Sequence, residues 1–247
     1  MRLRDKVALV TGGGFGFGEG IARLYAAEGA KVLVADIDGG RAGRVAGEIG
    51  SAARASTADV AKGPDFERMV RETLDAFGRL DIVVNNAGIT HKNQPMLEVD
   101  EATYDRVFAV NVKSIYWSAR AAVPVFRRQG GGCFVNIAST AGLRPRPGLT
   151  WYNGTKGAVI VISKAMAVEL APDIRVNANC PVIGETWLNA EFMGGDSPEL
   201  RARFVASIPL GRMSLPKDIA AAALFLASDE AEFLTGVALE VDGGRCV

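Results

Sequence analysis

Near its start the chain reads Thr11-Gly12-Gly13-Gly14-Phe15-Gly16-Phe17-Gly18. An apolar run typical of a buried strand, Lys6–Thr11, precedes these residues, and a segment with helical spacing, Gly20–Glu28, follows them. At such a junction, exposed backbone N–H groups and the helix dipole can hold a pyrophosphate. Strict Gly-x-Gly-x-x-Gly is absent, but Gly12-x-x-x-Gly16-x-Gly18 fits, and no phosphoryl-transfer lysine follows. We therefore expect a dinucleotide-binding turn rather than a merely flexible glycine turn.

Strand and helix patterns alternate along the rest of the chain. Further strands are predicted at Lys31–Asp36, Thr57–Val60, Asp81–Asn85, Cys133–Ser139, Arg175–Cys180 and Ala238–Val241. Further helices are predicted at Gly40–Ile49, Asp65–Phe77, Glu101–Arg128, Tyr152–Leu170 and Pro216–Ser228. Because parallel strands need helical crossovers, the series predicts a single α/β domain over residues 1–247, a doubly wound parallel sheet of Rossmann type with helices on both faces. The long irregular stretch at about 184–212 is predicted to be a mobile segment that covers the substrate.

Composition limits the function. The 247 residues are 49% hydrophobic and 23% charged, and 28 basic side chains balance 28 acidic ones. A neutral chain has no bulk field that attracts nucleic acid or an anionic membrane. No apolar run reaches the roughly 18 residues of a membrane span, and Met1–Lys6 shows no signal peptide. We expect a soluble, cytoplasmic protein that binds neither nucleic acid nor membrane.

Cysteine and histidine are scarce. Cys133, Cys180 and Cys246 lie far apart in sequence, and His91 is the one histidine. These residues make a poor zinc set and indicate a reducing compartment, so no metal is expected. His91 follows the fourth strand closely and either rims the binding cleft or is a solvated loop histidine.

An acidic residue ends the second predicted strand. Asp36 follows Gly18 by 18 residues, near the spacing of about 20 at which a carboxylate accepts hydrogen bonds from the adenosine ribose. A carboxylate at this point would repel a 2′-phosphate, so the sequence favours NAD over NADP. The alternative is an acidic side chain in a strand-end turn beside Asp38.

Tyr152 and Lys156 are four residues apart, on one face of a predicted helix. A phenol normally has a pKa near 10, and a nearby ammonium lowers that pKa. The pair alone is weak evidence. Ser139 ends the fifth strand and Asn85-Asn86-Ala87-Gly88 closes the fourth, where open α/β sheets bind ligands. Asn111 lies inside a predicted helix, which it could interrupt or hydrate.

Together these motifs resemble the classical short-chain dehydrogenase/reductase family along essentially the whole chain. The resemblance rests on Thr11-Gly12-x-x-x-Gly16-x-Gly18, Asp59-Val60, Asn85-Asn86-Ala87-Gly88, Asn111, Ser139 and Tyr152-x-x-x-Lys156. It implies that Tyr152 is the general acid/base and that Ser139 hydrogen-bonds the substrate oxygen. It further implies that Lys156 binds the nicotinamide ribose and lowers the tyrosine pKa, and that Asn111 holds a water of the proton relay.

The same resemblance implies a set of cofactor contacts. They are Gly12, Phe15, Gly16, Phe17, Asp36, Ile37, Asp59, Val60, Asn86, Ala87, Gly88, Tyr152, Lys156, Pro181, Ile183 and Thr186. The chain departs from the family at Pro181-Val182-Ile183-Gly184-Glu185-Thr186, where the glycine has moved. It also carries Phe17 where a smaller aliphatic residue is commoner, and this ring either narrows the cleft or packs on the sheet.

Candidate substrate contacts lie in two segments. Arg144 and Arg146 precede Tyr152 in a loop stiffened by prolines, and could bind a carboxylate or sulfonate, or could be solvated or contact another subunit. In the long segment, Trp187, Phe192 and Met193 form either an apolar lid or anchors that attach the segment to the body.

The predicted helix Tyr152–Leu170 is apolar nearly all round, so one face covers the sheet and the other is expected to meet another subunit. The family resemblance adds that this helix and Glu101–Arg128 form a dimer face within tetramers. We therefore expect a homotetramer, or a dimer, through the helices near 101–128 and 152–170.

The sequence thus predicts an NAD-dependent dehydrogenase that interconverts a secondary alcohol and its ketone or lactone by hydride transfer. The alcohol would be a sugar, a polyol or another polar compound, anions included. One alternative is a 3-oxoacyl-thioester (acyl-carrier-protein) reductase; such enzymes usually prefer NADPH, and Asp36 argues against that preference. A non-catalytic dinucleotide sensor is a remote alternative, since Ser139, Tyr152 and Lys156 are all present.

Overall fold

A computed structural model of the chain describes residues 1–184 and 189–247. Within these residues one sheet of seven strands has the order β3-β2-β1-β4-β5-β6-β7, and every pairing is parallel. The strands are β1 (Val7–Thr11), β2 (Lys31–Asp36), β3 (Ala53–Thr57), β4 (Ile82–Asn85), β5 (Gly132–Ile137), β6 (Ile174–Pro181) and β7 (Ala238–Val241). The predicted doubly wound α/β fold is confirmed.

Helices cover both faces of the sheet. They are α1 (Gly16–Ala27), α2 (Gly39–Ile49), α3 (Gly63–Phe77), α4 (Glu101–Phe108), α5 (Ser114–Gln129), α6 (Thr150–Leu170), α7 (Asn189–Met193), α8 (Pro198–Val205) and α9 (Pro216–Ala227). Residues of α1, α2 and α9 share one buried cluster with Ala8 and Val10 of β1, whereas Leu9 belongs to a second cluster with α3 and α5. This alternation is what a strand buried on both faces requires. Among the described residues, no helix is both long and apolar enough to cross a bilayer.

The chain reverses its winding between β1 and β4, which are neighbours in the sheet. Side chains tie these two strand ends together: the Thr11 hydroxyl accepts the N–H groups of Asn86 (3.0 Å) and Ala87 (3.1 Å), and Asn86 Nδ2 donates to the Thr11 carbonyl (2.8 Å). In open α/β sheets the ligand crevice lies at the carboxyl ends of the strands at such a reversal. These hydrogen bonds therefore hold the floor of the expected binding site.

The prediction of the third strand at Thr57–Val60 was wrong. The strand is Ala53–Thr57 and lies at the edge of the sheet, where Arg54 and other side chains are exposed. Ala58 and Val60 are buried, but they follow the strand in a loop and pack into the core cluster beneath β1. Their burial produced the apolar signal that the sequence pattern assigned to the strand.

Two segments differ from the prediction: the helix at 101–128 is less regular than expected, and the described part of the segment 184–212 is more structured than expected. The helix predicted at Glu101–Arg128 is broken by a π-helical turn, Ala109–Lys113, which contains Asn111, so the expectation that Asn111 interrupts the helix is confirmed. The segment 184–212 was expected to be irregular, yet its described part contains α7 and α8. Ser197 caps α8 by accepting the N–H of Leu200 (3.2 Å), because its hydroxyl takes the place of a missing backbone acceptor. Thr186 and Trp187 lie outside the described residues.

Candidate active site

The glycine turn after β1 has the backbone that a bound phosphate needs. Gly12 (φ +62°) and Gly16 (φ +58°) adopt the left-handed conformation that favours glycine. A Cβ on Gly18 would lie 2.1 Å from the Gly12 carbonyl oxygen, so only glycine lets α1 approach the turn this closely. No side chain of the described residues caps α1, whose N-cap is Phe15. The first N–H groups of α1 are therefore left for a ligand, such as a pyrophosphate.

Asp36 is held in one orientation at the end of β2. Its Oδ2 accepts the N–H of Gly14 (3.0 Å) and its Oδ1 accepts the N–H of Asp38 (3.0 Å). Arg41 lies close by, but its guanidinium pairs with the Asp38 carboxylate (3.1 Å). The Asp36 carboxylate therefore faces the cleft as a fixed hydrogen-bond acceptor, as recognition of a ribose diol requires.

A cleft of about 520 Å³ runs along the carboxyl edge of the sheet. The predicted cofactor residues that line it are Gly12, Phe15, Gly16, Phe17, Asp36, Ile37, Asp59, Val60, Asn86, Ala87, Gly88, Tyr152, Lys156, Pro181 and Ile183. The sequence analysis missed Asp38, Arg41, Ala58, Ile89, Arg106, Val110, Ile137, Ala138, Val182 and Gly184 as lining residues, whereas Phe192, a candidate of the apolar lid, does line the cleft.

Ser139, Tyr152 and Lys156 meet on the wall of this cleft. Ser139 follows β5, and its Oγ accepts the N–H of Ala141 (3.0 Å). Tyr152 lies in the first turn of α6 and Lys156 one turn later, so both side chains point to the same side. Ser139 also lies beside the Tyr152 phenol, and its hydroxyl acts to lower the pKa of that phenol. The predicted catalytic trio is thus brought together at one end of the cleft.

The electrostatics of this trio differ from the expectation that Lys156 lowers the tyrosine pKa. Burial raises the pKa of Tyr152 to about 12, and the hydrogen bond with Ser139 acts in the opposite direction. Burial lowers the pKa of Lys156 to about 8. The Lys156 Nζ lies 5.9 Å from the centre of the Tyr152 ring and donates to the Ile137 carbonyl (2.8 Å). In the protein alone, desolvation therefore outweighs the attraction between this ammonium and a phenolate.

Asn111 lies behind the cleft wall rather than on it. Its Oδ1 accepts the N–H of Ile89 (2.9 Å), and its Nδ2 donates to the Ile89 carbonyl (2.8 Å) and to the Thr155 hydroxyl (3.0 Å). A Cβ on Gly88 would lie 3.4 Å from both Asn111 Oδ1 and Lys156 Nζ. Through the hydrogen bonds of Asn111, the π-helical turn joins the loop after β4 to α6, which carries Tyr152 and Lys156. Such π-helical turns are frequent at functional sites.

His91 is buried, with 3% exposed surface, so the reading of a solvated histidine was wrong. Its Nδ1 lies 2.8 Å from the Lys92 carbonyl oxygen, and its Nε2 accepts the backbone N–H of Tyr152 at 3.4 Å. The N-cap of α6, Leu149, offers no side-chain acceptor, so the imidazole satisfies one free N–H of that helix. Because the two residues are 61 positions apart, no local pattern could have shown this contact.

The substrate candidates separate into two groups. Phe192 lines the cleft and stacks edge-on against Tyr152, with ring centroids 5.7 Å apart, whereas Met193 is buried in the body as an anchor. Among the described residues that line the cleft, neither Arg144 nor Arg146 is present. Arg144 instead contacts the C-terminal residues, and Arg146 lies over the ring of Phe204.

Comparison with known proteins identifies the family. Residues 13–245 match the family described as enoyl-(acyl carrier protein) reductase. The 4-formylbenzenesulfonate dehydrogenase of Comamonas testosteroni is 52% identical over 250 residues, which cover 99% of each chain. This chain belongs to the short-chain dehydrogenase/reductase family. The galactitol 2-dehydrogenase of Agrobacterium fabrum, at 40% identity and 99% coverage of both chains, is another similar protein.

A solved structure agrees with this assignment. The 3-ketoacyl-(acyl-carrier-protein) reductase of Brucella melitensis, complexed with NADH, is 49% identical and superposes with a TM-score of 0.94, covering 99% of this chain and 100% of that one. As a short-chain dehydrogenase/reductase with an acidic residue fixed at the end of β2, the protein is an NAD-dependent oxidoreductase.

Proposed function

We propose that the protein oxidises a secondary alcohol to a ketone or lactone with NAD, and that Tyr152 moves the proton. The observation that carries this proposal is that one cleft is lined both by Ser139, Tyr152 and Lys156 and by Asp36 and the glycine turn. A dinucleotide reaching from Asp36 to Tyr152 brings its reactive ring to the Ser139 and Tyr152 hydroxyls.

Residues of the cleft fit the parts of NAD. The uncapped start of α1 suits the pyrophosphate, and the Asp36 carboxylate suits the adenosine ribose hydroxyls. Asn86, Ala87 and Gly88 leave room for close approach on the nicotinamide side, where Lys156 supplies a donor. When bound, NAD supplies the acceptor for the hydride.

The chain's own residues manage the proton. Ser139 donates a hydrogen bond to the substrate oxygen and holds it beside the Tyr152 phenol. During oxidation Tyr152 Oη, as phenolate, accepts the hydroxyl proton, and during reduction it returns that proton. Lys156 is cationic below about pH 8. Together with the positive charge of an oxidised nicotinamide, its ammonium would favour the phenolate form of Tyr152. Asn111 holds the water through which the proton leaves, a role that rests on the family resemblance.

The name of one relative supports an alcohol–carbonyl pair, since the galactitol 2-dehydrogenase matches this chain over nearly its full length. The 4-formylbenzenesulfonate dehydrogenase, which matches as fully, is named for an aldehyde, so it supports oxidation at an oxygen-bearing carbon but not the alcohol step itself. The likeness to a 3-ketoacyl-(acyl-carrier-protein) reductase favours a second candidate, reduction of a 3-oxoacyl thioester. Asp36 favours NAD over NADP, but this preference does not separate the two candidates, since the similar 3-ketoacyl-(acyl-carrier-protein) reductase is complexed with NADH.

The described part of the segment 184–212 is proposed to cover the substrate, since its Phe192 already contacts the Tyr152 ring. The proposed assembly is a homotetramer or dimer in the cytoplasm, formed through the helices near 101–128 and 152–170. Val161 and Val168 support this assembly, because they expose 66% and 83% of their surface on one face of α6.

Initial rates of NAD reduction with polyols, sugars, hydroxy acids and cyclic or aryl alcohols test the proposal. The same enzyme is assayed for oxidation of NADH and of NADPH with an acetoacetyl thioester. Turnover of at least one alcohol with NAD, faster than with NADP, is the expected result. Thioester reduction with NADH or NADPH and no alcohol oxidation would favour the second candidate and overturn the first.

A further inference from the structure

Three arginines, Arg144, Arg146 and Arg245, lie together outside the described residues that line the cleft, and Arg146 contacts Phe204 and Ser207. Arg144 Nη1 donates to the Arg245 carbonyl (2.6 Å). Arg146 is more than half buried, and its pKa is lowered to about 10, first by burial and then by the positive charges of Arg245 and Arg144. Among residues 1–184 and 189–247, no aspartate or glutamate is within ion-pair distance of any of these three side chains, and Arg144 Nη1 also lies 3.4 Å from the Val247 oxygen. Arg146 and Arg245 therefore bring two positive charges together without an aspartate or glutamate partner.

The Arg245 guanidinium is the most unusual member. Arg245 exposes 8% of its surface, and its Nε and Nη1 are buried with no hydrogen-bond partner in the described residues. A buried donor without an acceptor costs free energy, and a buried unpaired charge costs more. An anion bound at this point would satisfy both nitrogens, since a guanidinium offers a fork of N–H donors that matches carboxylate and sulfonate oxygens.

A line of aromatic rings connects this cluster with the acid/base. The Arg146 guanidinium lies 4.5 Å from the centre of the Phe204 ring. Phe204 is 6.1 Å from Phe192, and Phe192 is 5.7 Å from Tyr152, between ring centroids. The surface between the reacting hydroxyl and the arginines is therefore aromatic, and suits a substrate whose body is an aromatic ring or another apolar group.

We propose that Arg146, with Arg144 and Arg245, binds the anionic group of the substrate, a sulfonate or carboxylate carried by an aromatic alcohol. The inference rests on the proposed alcohol oxidation and adds the substrate class. The Ser207 hydroxyl, which accepts from Arg146 Nη2 at 3.0 Å, holds one edge of the guanidinium in place. Residues of the segment 184–212 thus position the anion site as well as the aromatic wall.

A pair of matched compounds tests the charge directly. The 4-(hydroxymethyl) and 4-(1-hydroxyethyl) derivatives of benzenesulfonate are compared with those of benzenesulfonamide, which is neutral and nearly the same size. For wild type we expect kcat/KM to be at least tenfold higher for the sulfonates. Arg146→Gln should lower kcat/KM for the sulfonates by about 10- to 100-fold, mainly through KM, the loss expected for one charged hydrogen-bonding group. The same variant should change the value for the sulfonamides less than about threefold.

Two control variants distinguish the effect of a positive charge at the proposed anion site from the effect of the protein's overall charge. Arg128→Gln removes an exposed arginine at the end of α5 and should leave the sulfonate preference unchanged. Arg146→Lys keeps the positive charge and should retain part of the preference. Equal turnover of sulfonates and sulfonamides by wild type, or an equal loss for both in Arg146→Gln, would overturn the proposal.

Binding without turnover provides a second readout. Benzenesulfonate, added with NAD, should raise the Tm of wild type more than benzenesulfonamide does, and this difference should disappear in Arg146→Gln and Arg245→Met. Arg245→Met should itself fold with an unchanged or higher Tm, since it removes buried donors that have no partner. A Tm increase with free sulfate as large as that with benzenesulfonate would mean a free-anion site and overturn the substrate assignment. If no alcohol is oxidised but benzenesulfonate still binds through Arg146, the proposed reaction fails while the anion site stands.

Discussion

The Lys156 ammonium donates a 2.8 Å hydrogen bond to the carbonyl oxygen of Ile137, the last residue of β5. Lys156 exposes 5% of its surface, and no carboxylate among the described residues pairs with it. A charge placed in this way is costly, because burial disfavours the charged form, and burial accordingly lowers its pKa to about 8. The same side chain that we propose to support catalysis therefore weakens the fold at neutral pH.

Lys156→Met should stabilise the NAD-free protein more at pH 7 than at pH 10. Below about pH 8 Lys156 is charged in both the folded and the unfolded wild type, so the full cost of burying that charge lowers the free energy of unfolding. Between pH 8 and 10.5 the unfolded state binds more protons than the folded state, so the free energy of unfolding of wild type rises with pH. The gain from Lys156→Met should thus fall by about 2 to 3 kcal/mol from pH 7 to pH 10. Urea unfolding at several pH values measures it. Lys164→Met, an exposed position on α6, should show no such trend, and parallel curves for wild type and Lys156→Met would contradict the burial argument.

Tyr152→Phe should retain the fold and NAD binding while turnover falls by about 10² or more, because the substrate proton then has no acceptor at that point. Single-turnover and steady-state rates with the best alcohol measure the loss, and Tm with and without NAD checks the fold. Tyr116→Phe removes an exposed phenol on α5 and should be neutral. Near-normal turnover of Tyr152→Phe would remove Tyr152 from its proposed role.

Gly18→Ala should destabilise the protein and abolish NAD binding. Its Cβ would lie 2.1 Å from the Gly12 carbonyl and 2.4 Å from Asn86 Nδ2, so either the turn or the tie between β1 and β4 must shift. Gly43→Ala is the matched change: its Cβ meets nothing within 4 Å inside α2, and the helix should gain about 0.5 to 1 kcal/mol. Thermal unfolding with and without NAD measures both. A Gly18→Ala protein that binds NAD normally would show that the turn is not the phosphate site.

Asp36→Ala should lower kcat/KM for NAD by about tenfold or more, the loss expected for hydrogen bonds to a charged acceptor. It should raise kcat/KM for NADP, because the repelling carboxylate is gone and Arg41, which also lines the cleft, can approach a 2′-phosphate. Rates with both cofactors measure the change. Asp75→Asn, an exposed acid on α3, is the control and should alter neither value. An unchanged cofactor ratio in Asp36→Ala would place the ribose elsewhere.

Val168→Asp should reduce the size of the assembly, since it puts a charge on the exposed apolar face of α6. Size-exclusion chromatography with light scattering measures the mass across a range of protein concentrations. Leu97→Asp, at another exposed apolar position, should leave the mass unchanged. If Val168→Asp keeps the wild-type mass, α6 is not the interface.

Local patterns were enough to predict most elements and the general site. The strand–glycine–helix junction, Asp36 at a strand end and the four-residue spacing of Tyr152 and Lys156 are properties of short segments, which depend on periodicity and backbone conformation. Because parallel strands align their carboxyl ends, these segments could be placed at one edge before the structure was known. The edge strand β3 was misplaced, since an edge strand is half exposed and lacks the continuous apolar run that marks a central strand.

Other features depend on contacts between distant parts of the chain. His91 reaches Tyr152 from 61 positions away, and Arg245 joins Arg144 only because the chain's last residues pack against the loop after β5. The burial that shifts the pKa of Lys156 and Tyr152 likewise comes from neighbouring elements rather than from their own helix. Residue types and spacing thus establish which chemistry is available. The environment of each charge, and so its pKa and its free partners, follows from how the layers pack, because desolvation and hydrogen bonding act through space and not along the sequence.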